Sequence, residues 1–250
     1  MISREEIIGL SKLHGIRPWQ EELRYMQVLI LNSLYDEDIV FKGGTYLWLF
    51  HGLRRFSEDL DFTAGSPPDN NLAEIVSRNL SLIGINNQFK IIKNNNIALS
   101  FRIISNGPLN TGVLDRAPVY VEISKRENVI MEKIPLRFDF PEYNLPVRIL
   151  SGMNLEEVLA EKVRAAYTRK KARDIYDIYF LITYKNVKFD TGLINQKLGY
   201  YNIEFHKNTF LNEIEMQRKN FSIELKNIVM DKVPDIAYII ETISSEIENI

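Results

Sequence analysis

The residues best suited to chemistry lie in one stretch, Lys42 to Phe62, which reads KGGTYLWLFHGLRRFSEDLDF. Asp59 and Asp61 stand two apart in EDLDFTA, where strict alternation puts Leu60 and Phe62 on one face and both carboxylates on the other. Two acids side by side on a strand within a sheet repel each other unless a cation lies between them. Mg²⁺ suits that position, because it takes oxygen ligands while keeping water or phosphate in its other sites. Upstream, Gly43 and Gly44 precede Thr45 at a helix start, offering backbone N–H groups and a hydroxyl to a phosphate that approaches closely. A glycine pair before a helix is by itself only a tight turn, and two acids on a surface strand are by themselves only solvated. Together they point to a metal beside a nucleotide's phosphates. Glu122, in VYVEIS, is the natural third carboxylate if its strand adjoins that of Asp59 and Asp61; a solvated strand residue is the equal alternative.

A second group of residues lies further along. Lys162 falls within the apolar stripe of LEEVLAEKVRAAY formed by Leu155, Val158, Leu159 and Ala166, so it points inward and needs an anionic partner or a wet cleft. Its alternative is to pack its stem there and extend the amine to water at the helix edge. The segment RAAYTRKKAR carries Arg164, Arg169, Lys170, Lys171 and Arg173 with no acid. Such a run is commonly a solvated connection, and it is also the best local patch for an RNA backbone. Asp174 and Asp177 are neighbours on one helical face, Asp174 favoured by the helix dipole and either acid a partner for Arg173 or Lys162. His51, at the end of the first site helix, reads as structural. Trp48 and Phe50 read as core, and Tyr46 or Tyr167 could stack on a nucleobase.

The elements that must position these groups follow from periodicity. Residues 17–35 space Trp19, Leu23, Met26, Leu29 and Ile30 along one side of a packed helix. DEDIVFK is a short buried strand, GGT turns it into the helix TYLWLFHGL, and EDLDFTA at 58–64 is the next strand. An amphipathic helix over 72–83 precedes a hairpin of NQFKIIK and IALSFRII about the run Asn94-Asn95-Asn96. VYVEIS is a strand, and MEKIPLRFDF and PVRIL are extended pieces set off by Pro135, Pro141 and Pro146. From Met153 the chain turns helical. The expected fold is α+β, with residues 1–150 forming a mixed sheet flanked by helices and 151–250 a helical C-terminal domain.

Composition narrows the chemistry. The 250 residues carry 31 Lys and Arg against 33 Asp and Glu, a formal net charge of −2, and are 45% hydrophobic, as in a soluble globular protein. A basic coat is excluded, so any nucleic-acid contact is a local patch. No cysteine is present, which removes disulfides, thiolate zinc, iron–sulfur clusters and a cysteine nucleophile. With histidine only at 14, 51 and 206, a metal would be held by carboxylates. MISREEIIGLSK lacks an apolar signal core and no window is long and apolar enough for a membrane span, so the expected location is cytoplasmic.

A glycine turn with a hydroxyl residue, a helix, an Asp-x-Asp strand and a later single acid resemble the polymerase-β-type nucleotidyltransferases. More narrowly, KGGT…R-x-S-x-D-L-D-F followed by LEEVLAEK…R-x-x-x-RDIYDIYFL resembles the AbiEii/AbiGii toxin-type nucleotidyltransferases over roughly 38–64 and 153–182. Gly44-Thr45 stands where the superfamily has Gly-Ser, which keeps the hydroxyl. The resemblance implies that Asp59 and Asp61 bind two Mg²⁺ ions, that Gly43, Gly44 and Thr45 hold the triphosphate, and that Arg55 and Ser57 belong to the same nucleotide-binding signature. It implies active roles for Lys162 and Asp177 and does not define the third acid, leaving Glu122 open. The implied protein is a toxin with a cognate antitoxin, using an NTP as substrate and an RNA acceptor, the 3′ end of tRNA in some relatives. Glycosyltransferases also pair Asp-x-Asp with a divalent ion, but the preceding glycine-turn helix and the later helical block fit them poorly. A non-catalytic RNA- or partner-binding module on the same scaffold is the alternative of a different class.

Overall fold

Why each element begins and ends where it does is visible in its caps and burial. In the computed structural model, which describes residues 1–112 and 116–248, the first helix is α1 (Arg4–His14). Ser3 and Glu6 close a reciprocal capping box at its start, and Gly15 ends it in the left-handed region at φ 66°. Helix α2 (Pro18–Ser33) has proline at its first position, where the missing N–H costs nothing. Strand β1 (Ile39–Lys42) is buried at every residue and runs directly into α3 (Gly43–His51). Strand β2 (Leu60–Ala64) starts two residues later than the 58–64 expected, so it carries Asp61 with Asp59 just ahead of it, and α4 (Leu72–Leu82) follows.

Strands β3 (Asn87–Asn94) and β4 (Ala98–Ser105) form the expected antiparallel hairpin, its register shifting between Ile91 and Lys93. In β5 (Ala117–Ser124) burial alternates residue by residue, with Pro118, Tyr120 and Glu122 on the open face. Strands β6 (Ile134–Phe138) and β7 (Arg148–Gly152) pair antiparallel. Among the described residues the seven strands make one mixed sheet in the order β3-β4-β5-β2-β1-β7-β6. β2 is parallel to β5 and antiparallel to β1.

The helical part comprises α5 (Leu155–Arg169), α6 (Ala172–Tyr184), α7 (Thr191–Gly199), α8 (Lys207–Glu215), α9 (Arg218–Leu225) and α10 (Ile236–Glu248). Asn154 caps α5 by accepting from the Glu156 N–H, and Asp190 caps α7 by accepting from that of Leu193. The fold is α+β, as expected.

Two compact units share the chain. The first takes Met1–Phe50, Phe56–Val129 and Lys133–Gly152, and so holds the whole sheet; the second takes His51–Arg55, Ile130–Glu132 and Met153–Ile250. The two short segments of the second unit interrupt the first without any shift in composition to mark them. Inside the second unit, Arg55 bridges to Val229 and the Met230 N–H donates to the Arg54 carbonyl, while the Ile130 and Met131 N–H groups donate to Glu157. No described helix is long and apolar enough to cross a membrane.

Candidate active site

Strand β2 lies between β5 and β1, and that position fixes what surrounds its acids. Asp61 is the register partner of Glu122 on β5 and of Lys42 on β1, and Glu122 is that of Ser100 on β4. Register partners share a face of the sheet, so Ser100, Glu122, Asp61 and Lys42 form one row across it. The Ser100 hydroxyl donates to Glu122 Oε2 at 3.5 Å. The condition placed on Glu122 by the sequence, an adjoining strand and a common face with Asp61, is met by this geometry.

Helix α3 reaches the same place from the other side. Gly43 adopts φ +80°, and a Cβ built on it would stand 2.5 Å from Asp61 Oδ2. The carboxylate therefore occupies the space that only glycine leaves open. Thr45 is fully buried and its hydroxyl donates to the Asp59 carbonyl at 2.5 Å. That bond latches the first turn of α3 to the start of β2, so the hydroxyl expected to meet phosphate is committed to the backbone beside the acids. What α3 offers an anion is its first-turn N–H groups, which no helix carbonyl can satisfy, and the positive end of its dipole. Ser57 is anchored in turn by its carbonyl, which accepts from Gln27 Nε2 on α2 at 3.0 Å. Substituting Gly43 by Ala should cost about 1–2 kcal/mol of backbone strain. It should lower turnover by about a hundredfold as well, because the new methyl displaces the carboxylate by an ångström or so. Thermal melts and initial rates on the same preparation check both halves, and an unchanged rate would detach Gly43 from the site.

The donors present fit a hard divalent ion. They are all carboxylate oxygens, and Mg²⁺ binds through one or two carboxylates plus substrate phosphates. Among the described residues, however, no three His, Cys, Asp or Glu side chains converge as a metal-holding group. Glu122 stands level with Asp61 across the sheet, and Asp59 lies two residues before Asp61, just ahead of β2.

The remaining expected residues gather in the second unit, around an ionic network. Arg55, only 2% exposed, forks onto Asp177 through Nε–Oδ1 and Nη2–Oδ2 bonds, both 2.6 Å. Lys162 Nζ lies 2.6 Å from Asp177 Oδ2 and 3.1 Å from Asp174 Oδ1, and Arg169 Nη2 is 3.1 Å from the same Asp174 oxygen. Burial pushes the Asp177 carboxyl up, but the Arg55 guanidinium and then the Lys162 amine outweigh it and hold its pKa below the usual carboxylate value. Of the two fates open to Lys162, the structure realises the anionic partner. Arg55, which the resemblance assigns to the nucleotide-binding signature, holds this carboxylate with its guanidinium.

Of the basic run, Lys170 Nζ pairs with Glu213 at 2.8 Å and the Arg164 guanidinium sits 5.3 Å from the Tyr201 ring centre. Lys171 and Arg173 are exposed and form no ion pair among the described residues. Tyr46 is fully buried and cannot stack on a base, and Tyr167 donates its hydroxyl to the His206 carbonyl while stacking on Phe210. His51 is structural: burial, helped by the Lys185 charge, lowers its pKa to about 4, so the ring is neutral at pH 7. Trp19 departs from its expected packed position, being 46% exposed.

Residues 24–239 match the family described as nucleotidyl transferase AbiEii toxin, type IV toxin–antitoxin system. The chain belongs to the AbiEii nucleotidyl transferase toxin family. Solved structures repeat the fold. JHP933 from Helicobacter pylori is 22% identical, covers 92% of this chain and 90% of its own, and superposes with a TM-score of 0.62. MenT4, a nucleotidyltransferase toxin from Mycobacterium tuberculosis, is 18% identical, covers 98% of this chain and 88% of its own, and gives 0.65. No curated protein matches.

Membership makes this AbiEii chain a nucleotidyltransferase and sets aside the glycosyltransferase and non-catalytic alternatives. The residue that reading the sequence missed is Lys42. It opens the KGGT block, yet nothing local shows that it will lie level with Asp61; the register with β2 decides that.

Proposed function

We propose that this AbiEii-family toxin transfers a nucleoside monophosphate from an NTP to a hydroxyl of an RNA acceptor, the 3′ end of tRNA, with Mg²⁺ and under control of a cognate antitoxin in the cytoplasm. The observation that carries it is the convergence of Asp61, Glu122, Lys42 and the Gly43 turn on one face of β2. Asp59 and Asp61 would hold Mg²⁺, which would supply charge neutralisation for the leaving pyrophosphate and lower the pKa of the acceptor hydroxyl. The chain's own groups do the rest. Asp59 and Asp61 hold the ion or ion pair, and the Thr45 latch keeps their strand in register with the α3 turn. The N–H groups of Gly44 and its neighbours bind phosphate oxygens, and Lys42 offsets the negative charge that builds beside Asp61. Glu122 accepts the acceptor's proton or completes the ligand set.

In the second unit, Arg55 and Asp177 act as positioning residues for the amine of Lys162, the cation the family signature assigns to the nucleotide. Lys171 and Arg173 supply the exposed charge of the RNA patch, with Arg169 and Lys170 beside them. Incubating the protein with each labelled NTP, Mg²⁺ and total tRNA tests the whole. Label is expected on RNA with pyrophosphate released, and chelation with EDTA should reduce transfer to background. Label that stays off RNA, or transfer that persists in EDTA, would reject the acceptor or the metal respectively.

A further inference from the structure

Asp59 lines a cavity of about 350 Å³ whose walls include Trp19 and Leu23 of α2, Glu58, Arg116 and, on β5, Tyr120. That volume is in the range of small-molecule sites. Its two large aromatic rings are half open: Trp19 is 46% and Tyr120 43% exposed. Each ring is held by a neighbour. Trp19 meets Phe56 edge to face at 5.2 Å between ring centres. Tyr120 carries the Arg102 guanidinium 5.4 Å from its ring centre and accepts a 3.0 Å bond from Arg102 Nη1 at its hydroxyl. Arg116 adds positive charge. Its Nη1 lies 3.5 Å from Gln88 Oε1, and its Nε has no acceptor among the described residues. Rigid, half-exposed aromatics beside guanidinium groups are what a single-stranded nucleic acid needs, rings for its bases and cations for its backbone.

Topology says which nucleotide goes there. β2 separates β1 and its glycine turn from β5, so Asp59 has the phosphate-binding turn of α3 on one flank and this cavity on the other. Phosphoryl transfer brings the attacking and leaving oxygens roughly in line on opposite sides of the phosphorus. A triphosphate whose leaving end is held at the glycine turn receives its nucleophile from the β5 side. We infer that the Trp19–Tyr120 cavity is the acceptor subsite, stacking the terminal base of a single-stranded RNA so that its hydroxyl meets the donor at Asp59. The direction of transfer rests on the reaction proposed above; the stacking site does not.

Two measurements separate them. The first is the Kd of a short fluorescein-labelled single-stranded RNA. The second is the KM for the NTP in the labelled transfer assay. Trp19→Leu and Tyr120→Leu should each raise the RNA Kd roughly tenfold, the usual consequence of losing one stacked base, and leave the NTP KM within about twofold. Trp19→Phe, which keeps a ring, should retain most of the affinity, and Arg116→Ala should reduce the slope of log Kd against log salt by about one. A raised NTP KM with unchanged RNA Kd would give the cavity to the donor base and overturn the inference. So would a Phe variant as weak as the Leu variant, or label transferred to protein by an enzyme that does not bind the RNA. Ring-dependent RNA binding without any transfer would uphold the subsite and reject the reaction.

Discussion

Asp61→Asn should abolish nucleotide transfer, lowering turnover by about a thousandfold or more while moving stability by less than about 1 kcal/mol. The substitution keeps the side chain's volume and its place over Gly43, where the carboxylate fills the space a Cβ would need. What it removes is one negative charge at the point where the proposed reaction would hold its divalent ion. Titrating Mg²⁺ against initial rate shows the cause directly, since any residual activity should need far more metal. Glu122→Gln provides the internal comparison. Glu122 is level with Asp61, but among the described residues no three acids converge as a metal-holding group, so its loss should cost only about ten- to a hundredfold, the scale of a group that supports a ligand. Wild-type rate and Mg²⁺ dependence in Asp61→Asn would remove the metal from this strand altogether.

Much of the first unit's site could be read from the chain because its geometry is local. Alternation puts Asp61 on the open face of β2, though the strand begins only after Asp59, and a glycine at φ +80° before a helix is announced by Gly-Gly. Pairings between distant strands are not local, and the row from Ser100 to Lys42 needed them. Lys42 closes a four-residue strand that is buried throughout, so periodicity marks it only as the end of an apolar run. Trp19 fits the apolar stripe of α2, yet lies half open because it sits at the second residue of that helix, where the stripe ends at the cavity. The capping box that starts α1 was available in Ser3 and Glu6, though no helix was expected there.

Arg55 shows the same limit from the other side. The resemblance places it in the nucleotide-binding signature; its segment, His51–Arg55, belongs to the second unit and sends the guanidinium to Asp177, distant in sequence. Arg55, Lys162 and Asp177, which the resemblance draws from two separate sequence blocks, are joined by ion pairs into one buried network.

That network sets the second large effect. Arg55→Met leaves Asp177 with a single cationic partner inside the fold, and breaking a buried bidentate pair costs about 3–5 kcal/mol. For a chain of this size the midpoint should fall by roughly 10 °C. The carboxyl of Asp177 has a folded pKa below its ordinary 3.8, so its ionic stabilisation is present above that value and is lost as pH falls through the folded pKa. The Arg55→Met variant should therefore unfold at a higher pH than the parent in an acid titration. Replacing the three central members with apolar groups, Arg55→Met with Lys162→Met and Asp177→Leu, removes the charges that the single substitution strands, leaves Asp174 to its Arg169 bond, and should recover part of the lost stability, because a buried ionic cluster is not in itself more stable than packed hydrocarbon. Activity should not return with it. If Lys162 serves the nucleotide, the triple variant is a folded protein that transfers nothing; a folded triple variant with parental rates would make the network structural and leave the chemistry to the strand of Asp59 and Asp61.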